Sequence, residues 1–263
     1  MGMTRTINVR SGPVGRGHEP LLCAPIIGRT RTELLPELRR VVGKRPDLIE
    51  WRVDYFSEIA DGAAVLGTLQ DLRQGAAGIP IIFTIRSTGE GGETVPINDQ
   101  QVTALCQSVC AAHAVEIIDC ELSASPESLQ QVRAAATQSD TKLILSYHNF
   151  RETPDAETLY AKFSLAQELG ADIAKVAVMP TNPDEVLTLL RATYRAHRAL
   201  SLPLIGISMG AYGVLTRLFG WLFGSSVTFA AGEASSAPGQ MTAEDLNAAL
   251  QIVRRAIGSD QSV

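Results

Sequence analysis

The sequence predicts a single-domain (β/α)8 TIM barrel, and three observations carry that prediction. Short β-branched or apolar runs alternate with amphipathic helical stretches eight times from residue 21 onward. The runs are near-continuously apolar, as strands are when a parallel sheet is covered on its outer face. No GxGxxG turn follows the first run, where an open doubly wound sheet would place one; the residues there are GRTRTE. Eight repeats at this length suit a closed barrel, with catalytic groups at the carboxyl ends of the strands.

The elements follow in order. LLCAPIIG (21–28) leads into TRTELLPELRRVV, and LIEWRVDYF (48–56), PIIFTIRS (80–87) and VEIIDCEL (115–122) come next. SPESLQQVRAAAT precedes KLILSYHN (142–149), and TPDAETLYAKFSLAQELG precedes DIAKVAVMP (172–180). NPDEVLTLLRATYRAH leads to LPLIGISMG (202–210); SVTFAAGEA (226–234) is the last run, and TAEDLNAALQIVRRAIG the last helix. The helical stretches open on Ser, Thr or Asn, take acids early and bases late, as capping and the macrodipole favour. No linker or compositional break divides residues 1–263, so they read as one domain with residues 1–19 as an amino-terminal extension.

Composition narrows the function classes. The chain is 45% hydrophobic and 19% charged, with a formal net charge of −5, which argues against nucleic acid or an anionic membrane as partner. No apolar run approaches the ~20 residues of a membrane span, and MGMTRTINVR lacks the apolar core of a secretory signal. Gly2 and Thr6 fit a loose myristoylation pattern, but Met1-Gly2-Met3 reads more simply as an additional start. The cysteines, Cys23, Cys106, Cys110 and Cys120, form no CxxC pair, so free thiols in the cytoplasm are expected. CQSVCAAH would set Cys106, Cys110 and His113 on one helical face, yet Val102 and Val109 share the stripe. It reads as a core-facing side, and no metal is expected there.

Polar residues out of place in apolar strands mark the candidate site. Glu50 and Arg52 lie two apart on the second run, hence on one face, and the bland alternative is a structural ion pair. Arg86 ends the third run, and STGEGGE behind it supplies Glu90 and Glu93 without the GK[ST] of a nucleotide-binding loop. His148 ends the fifth run, Lys175 interrupts the sixth in GADIAKVAVMP, and Arg217 follows the seventh. Ser236 and Gln240 lie in SSAPGQ after the eighth. His18 and His197 read as solvent-facing. Lys175 admits two readings: a paired structural charge, or an amine kept neutral by burial for chemistry.

In a barrel these residues converge on one mouth, and their chemistry fits together. A lysine there can attack a carbonyl to form a Schiff base, and the iminium acidifies the adjacent C–H. His148 can take that proton near neutral pH, with Glu90 holding the imidazole in the right tautomer. Arg52, Arg86 and Arg217 suggest a substrate carboxylate, and Ser236 and Gln240 would read hydroxyls or the same carboxylate. The spacing gives a lysine Schiff-base lyase or aldolase acting on an anionic hydroxylated keto acid.

The segments LIEWRVDYF, FTIRSTGEGGE, SYHNFRETP, GADIAKVAVMP, ISMGAYGVLTR and SSAPGQ resemble, in order and over nearly the whole chain, the type I 3-dehydroquinate dehydratases. The resemblance implies dehydration of 3-dehydroquinate to 3-dehydroshikimate in the shikimate pathway, by syn elimination through an enamine and without a cofactor. It implies Lys175 as the imine-forming lysine, His148 as base and then acid, and Glu90 as its support. Glu50, Arg52, Arg86, Arg217, Ser236 and Gln240 match the substrate-binding set, and a homodimer is implied. Pro25 stands where some members carry a serine, Asn149 where an aspartate is common, and Gly210 and Tyr212 depart from the commoner SMSAKG. A class I aldolase and a non-catalytic ligand-binding barrel are the rival readings.

Overall fold

In the computed structural model, which describes residues 6–9, 12–14, 20–234 and 236–258, eight parallel strands form one sheet that curls almost into a ring. Two short strands, β1 (Ile7–Val9) and β2 (Gly12–Val14), precede it as an antiparallel hairpin. The barrel strands are β3 (Leu21–Ile26), β4 (Leu48–Arg52), β5 (Ile81–Thr84), β6 (Ile117–Glu121), β7 (Lys142–Asn149), β8 (Ile173–Val178), β9 (Leu204–Ser208) and β10 (Val227–Phe229). Each falls inside one of the eight apolar runs. Their order is β10-β3-β4-β5-β6-β7-β8-β9, and a bridge between Leu204 and Ser225 brings β9 beside the start of β10.

Helices α1 (Arg31–Gly43), α2 (Gly62–Gly75), α3 (Asp99–Ala111), α4 (Pro126–Gln138), α5 (Ala156–Glu168), α6 (Pro183–Ala199), α7 (Val214–Phe219) and α8 (Ala243–Gly258) follow the strands. Thr30, Asp61, Asn98, Ser125, Asp155 and Asn182 cap the first six, each side chain accepting a first-turn N–H that has no partner inside the helix. The seventh unit departs from the pattern. Its helix is six residues long, flanked by single turns at Ala211–Gly213 and Gly220–Phe223, in a glycine-rich stretch.

β4 and β10 stop furthest short of their apolar runs. After Arg52 the chain turns over Val53–Tyr55, because Asp54 folds back to accept from Arg52, Arg86 N and Glu93 N. The short β10 likewise explains how Pro25 sits in a barrel strand. Cys23 O accepts from Ala230 N just past the end of β10, so Pro25, two residues on, faces that side where the strand has already stopped. No ladder bond needs the N–H that proline lacks.

The pleat sends alternate residues inward, and each strand changes character along that inward row. At the lower end Leu48, Ile82, Ile117, Ile144, Ile173 and Ile205 pack with Ile7 and Val9 of the hairpin. Above them the same rows carry Glu50, Thr84, Asp119, Ser146 and Lys175, all buried. The outer rows pack against the helices, with Trp51 edge-on to Phe56 and Phe83. Cys106 and Cys110 are buried in that helix-facing layer, whereas α3 stops at Ala111 and His113 lies beyond it, exposed. His197 is half-buried rather than solvent-facing, and a side chain at Gly224 would collide with its ring. His18 and Gly2 lie outside the described residues. Among the described residues no helix is long and apolar enough to cross a membrane.

Candidate active site

All nine candidate residues line one cleft at the carboxyl ends of the strands, open to solvent and about 480 Å³ in empty volume. Ala177, Ile207, Met209, Phe150 and Phe229 supply its apolar surface. A concave site where polar groups converge is the usual form of a small-molecule site, and the density of charge here suits a polar ligand.

Lys175 sits deep in this cleft and is paired. Its Nζ donates to Asp119 Oδ2 at 3.1 Å, lies 3.6 Å from Glu50 Oε1, and sits 4.7 Å from the centre of the Phe229 ring. The apolar surroundings expected from the strand are therefore only part of its environment. Glu50 also accepts from the Thr84 hydroxyl at 3.0 Å. Asp119 is the hub: its other oxygen takes Arg86 Nη2 at 2.9 Å and the Ser146 hydroxyl at 2.6 Å. Burial would raise the Asp119 carboxyl, but Arg86 and Lys175 outweigh it and hold the group below the ordinary carboxylate range.

One strand away, His148 Nδ1 lies 2.8 Å from Glu90 Oε2, and the His148 backbone N–H donates to the same oxygen at 2.9 Å. An oxygen already accepting from the backbone takes Nδ1–H most simply, which leaves Nε2 as the basic nitrogen. Burial, then the charges of Arg86, Lys175 and Arg52, push the imidazole well below its ordinary value, so it is neutral at neutral pH. Burial first, and Glu121 second, raise the Glu90 carboxyl to about 7.

The three arginines are held differently. Arg86 donates to Asp119, Glu121 and Ser146. Arg52 pairs with Asp54 through two bonds of 2.9 and 2.7 Å, so the Glu50–Arg52 ion pair suggested by their spacing does not form. Arg217 donates only to the carbonyls of Gly239, Phe229 and Pro238, at 2.9, 2.8 and 3.2 Å, with no carboxylate in salt-bridge reach among the described residues. Burial lowers its guanidinium to about 10. Ser236 and Gln240 hold each other: Gln240 Oε1 accepts from Ser236 N and Ala237 N, and Gln240 Nε2 donates to Ser236 Oγ.

A family model described as type I 3-dehydroquinase matches residues 22–256. The chain belongs to the type I 3-dehydroquinase family. It is 50% identical to the 3-dehydroquinate dehydratase of Albidiferax ferrireducens, over 100% of this chain and 99% of that protein. It also matches the crystal structure of 3-dehydroquinate dehydratase from Geobacillus kaustophilus, with a TM-score of 0.93, 45% identity, and coverage of 96% and 98% of the two chains. A type I enzyme from Clostridium difficile, solved with covalently modified comenic acid, gives a TM-score of 0.91 at 37% identity, covering 97% of this chain and 100% of that one.

Within this 3-dehydroquinase fold, Pro25 pairs in register with Glu50, and none of Pro25, Asn149, Gly210 and Tyr212 lines the cleft. Asn149 caps the turn after β7 by accepting from Arg151 N and Glu152 N. Gly210, at φ +67, needs glycine, and its carbonyl lies so near Gly239 that a side chain there would collide with it. Tyr212 is exposed. Glu93 pairs with Arg29 on the rim. The sequence reading missed Asp119, Glu121, Asp54 and Ser146. Asp119 met the criterion that singled out Lys175, a charge inside an apolar strand, and was legible in VEIIDCEL.

Proposed function

We propose that this chain, a 3-dehydroquinate dehydratase by family and hence a lyase of the shikimate pathway, works through an imine on Lys175. The observation that carries the reading is a buried lysine between two carboxylates, one strand from a neutral histidine bonded to Glu90. Nζ must give up a proton before it attacks the ketone, and Glu50, 3.6 Å away, is the neighbour placed to relay it. Asp119 and Glu50 balance the iminium that forms when the ketone oxygen leaves as water. Its charge then sits over the Phe229 ring, where a cation is favoured.

Nε2 of His148 removes the proton beside the iminium, giving an enamine, while Glu90 steadies the resulting imidazolium. That proton then goes to the departing hydroxyl on the same face, which leaves as water in a syn elimination. Hydrolysis of the conjugated imine releases 3-dehydroshikimate and the free lysine.

Arg217 is the residue best suited to the substrate carboxylate, because among the described residues it is a buried cation with no carboxylate in salt-bridge reach. Arg52 borders the same space and reaches Ser236 O at 3.5 Å. Ser236 and Gln240 can exchange their mutual bond for substrate oxygens. Arg86 contributes less as a substrate ligand than as the cation that organises Asp119 and Glu121.

Incubation with 3-dehydroquinate tests the reading, with the conjugated enone of the product followed by its ultraviolet absorbance. The wild-type chain should generate it and Lys175→Ala should not; equal rates would refute the assignment. The homodimer belongs to this proposal too, supported by the exposed Leu187, Tyr194, Tyr212 and Leu215 on and beside α6 and α7. Light scattering during gel filtration should give twice the chain mass, and a monomer would refute it. The four free cysteines suit the reducing cytoplasm proposed as its compartment. Fractionation of the source cells tests that placement.

A further inference from the structure

Glu121 is a nearly buried carboxylate beside the reacting residues that the mechanism above does not use. It ends β6 two residues beyond Asp119, on the same inward row. Its Oε1 accepts from Ser87 N at 2.8 Å and from Arg86 Nη1 at 3.2 Å. Its Oε2 accepts from the hydroxyls of Ser87 at 2.7 Å and Ser123 at 3.3 Å. Ser87 opens the single turn Thr88–Glu90, and its carbonyl accepts from Glu90 N and Gly92 N. Ser123 Oγ also reaches Glu90 Oε1, at 3.4 Å. One carboxylate thus holds the start of the turn that carries Glu90 and a hydroxyl that touches Glu90 itself.

Glu121 also decides how Arg86 is shared. Arg86 Nη1 is 3.2 Å from Glu121 but 3.8 Å from Glu90, so the nearer anion takes most of that charge. Facing Glu90 are Arg86 from its own loop, Asp119 and Glu121 from β6, and His148 from β7. Facing His148 are Arg86, Lys175 and Arg52.

We propose that Glu121 is a positioning residue for the His148–Glu90 pair: it fixes the Thr88–Glu90 turn and withholds Arg86 from Glu90, a role that rests on His148 being the base. Burial first and the Glu121 anion second, against the opposing charge of Arg86, let Glu90 keep its proton to higher pH than an ordinary carboxylate, to about 7. The acid limb of kcat/KM then follows the loss of Glu90's charge, since an uncharged Glu90 steadies the imidazolium poorly.

The test is the pH profile of Glu121→Gln, which keeps the shape and removes the charge. Freed of Glu121, Glu90 ionises more readily, and the acid limb moves to lower pH by about one unit, the size of shift a nearby charge produces. A profile that superimposes on the wild type overturns the proposal; so does one that falls evenly at every pH, as a merely structural loss would. Borohydride trapping in the same variant should still label Lys175. If the wild-type chain itself gives no adduct, the imine reading has failed rather than the role of Glu121. Should Glu121→Gln not fold, Glu121→Asp decides, because it keeps the charge and shortens the arm. Its acid limb should stay in place while kcat falls at least about threefold, and wild-type kcat would overturn the proposal.

Discussion

Two guanidiniums face the same cleft under opposite conditions. Arg86 follows β5 and Arg217 follows β9, strands four places apart in the order of eight, and they are 3% and 2% exposed. Arg86 has Asp119, Glu121 and Glu90 within 3.8 Å. Burial alone would make it less basic, but those carboxylates outweigh burial and hold it above its ordinary value. Among the described residues Arg217 meets only carbonyl dipoles, and burial lowers it to about 10. The first cation is already neutralised and serves as wiring for its neighbours. The second is left short of negative charge, and an anionic substrate would supply it. Equal burial and equal chemistry therefore assign different tasks, and the difference lies in the partners.

Breaking each side separately should give different failures. Arg86→Met leaves three carboxylates crowded without their cation, and breaking a buried pair costs about 3–5 kcal/mol. Chemical denaturation should show a loss of that size, together with loss of activity; an unchanged midpoint would contradict the wiring role. His148→Ala keeps the lysine and both arginines, so imine should still form while kcat drops about 10²–10⁴-fold, the usual worth of a general base. Single-turnover trapping with unchanged kcat would remove His148 from that role.

Arg217→Lys should fold normally yet lose the planar fork that meets a carboxylate. An effect of about 100-fold in kcat/KM, carried mainly by KM, is expected from losing part of a buried charge pair. A wild-type KM would move the substrate carboxylate elsewhere. The smallest effect concerns the cation-rich surroundings of His148. Its folded imidazole titrates below the unfolded one, so as pH falls below the ordinary histidine range the unfolded chain takes a proton that the folded chain refuses. Stability is lost in that window. The melting temperature of His148→Ala should therefore gain relative to wild type between pH 7 and pH 5, and a constant difference would contradict the lowered imidazole.

The sequence makes one half of this comparison much easier to read than the other. Lys175, His148 and Arg217 stand out because a charge or imidazole interrupts or ends an apolar run, a feature local to a few residues. The eight strands are legible for the same reason. Pairings are harder to read: Arg52 meets Asp54 only because a turn hidden inside an apolar run folds it back, and Arg86 meets Asp119 across a register between strands. Spacing two apart suggested Glu50 with Arg52, but Lys175 on β8 lies close to Glu50 instead. Asp119 was legible as an intruder in its strand, whereas its position as the bridge between Lys175 and Arg86 needs the closed ring.

Lys175 lies between the two arginines, reached from Arg86 through Asp119 and from Arg217 through Phe229, and one measurement tests it directly. The wild-type chain is incubated with 3-dehydroquinate, reduced with borohydride, digested and mapped by mass spectrometry. A reduced adduct of the substrate on Lys175, absent from Lys175→Ala, is the result this account predicts. An adduct on another lysine, or turnover in Lys175→Ala with nothing trapped, would contradict it.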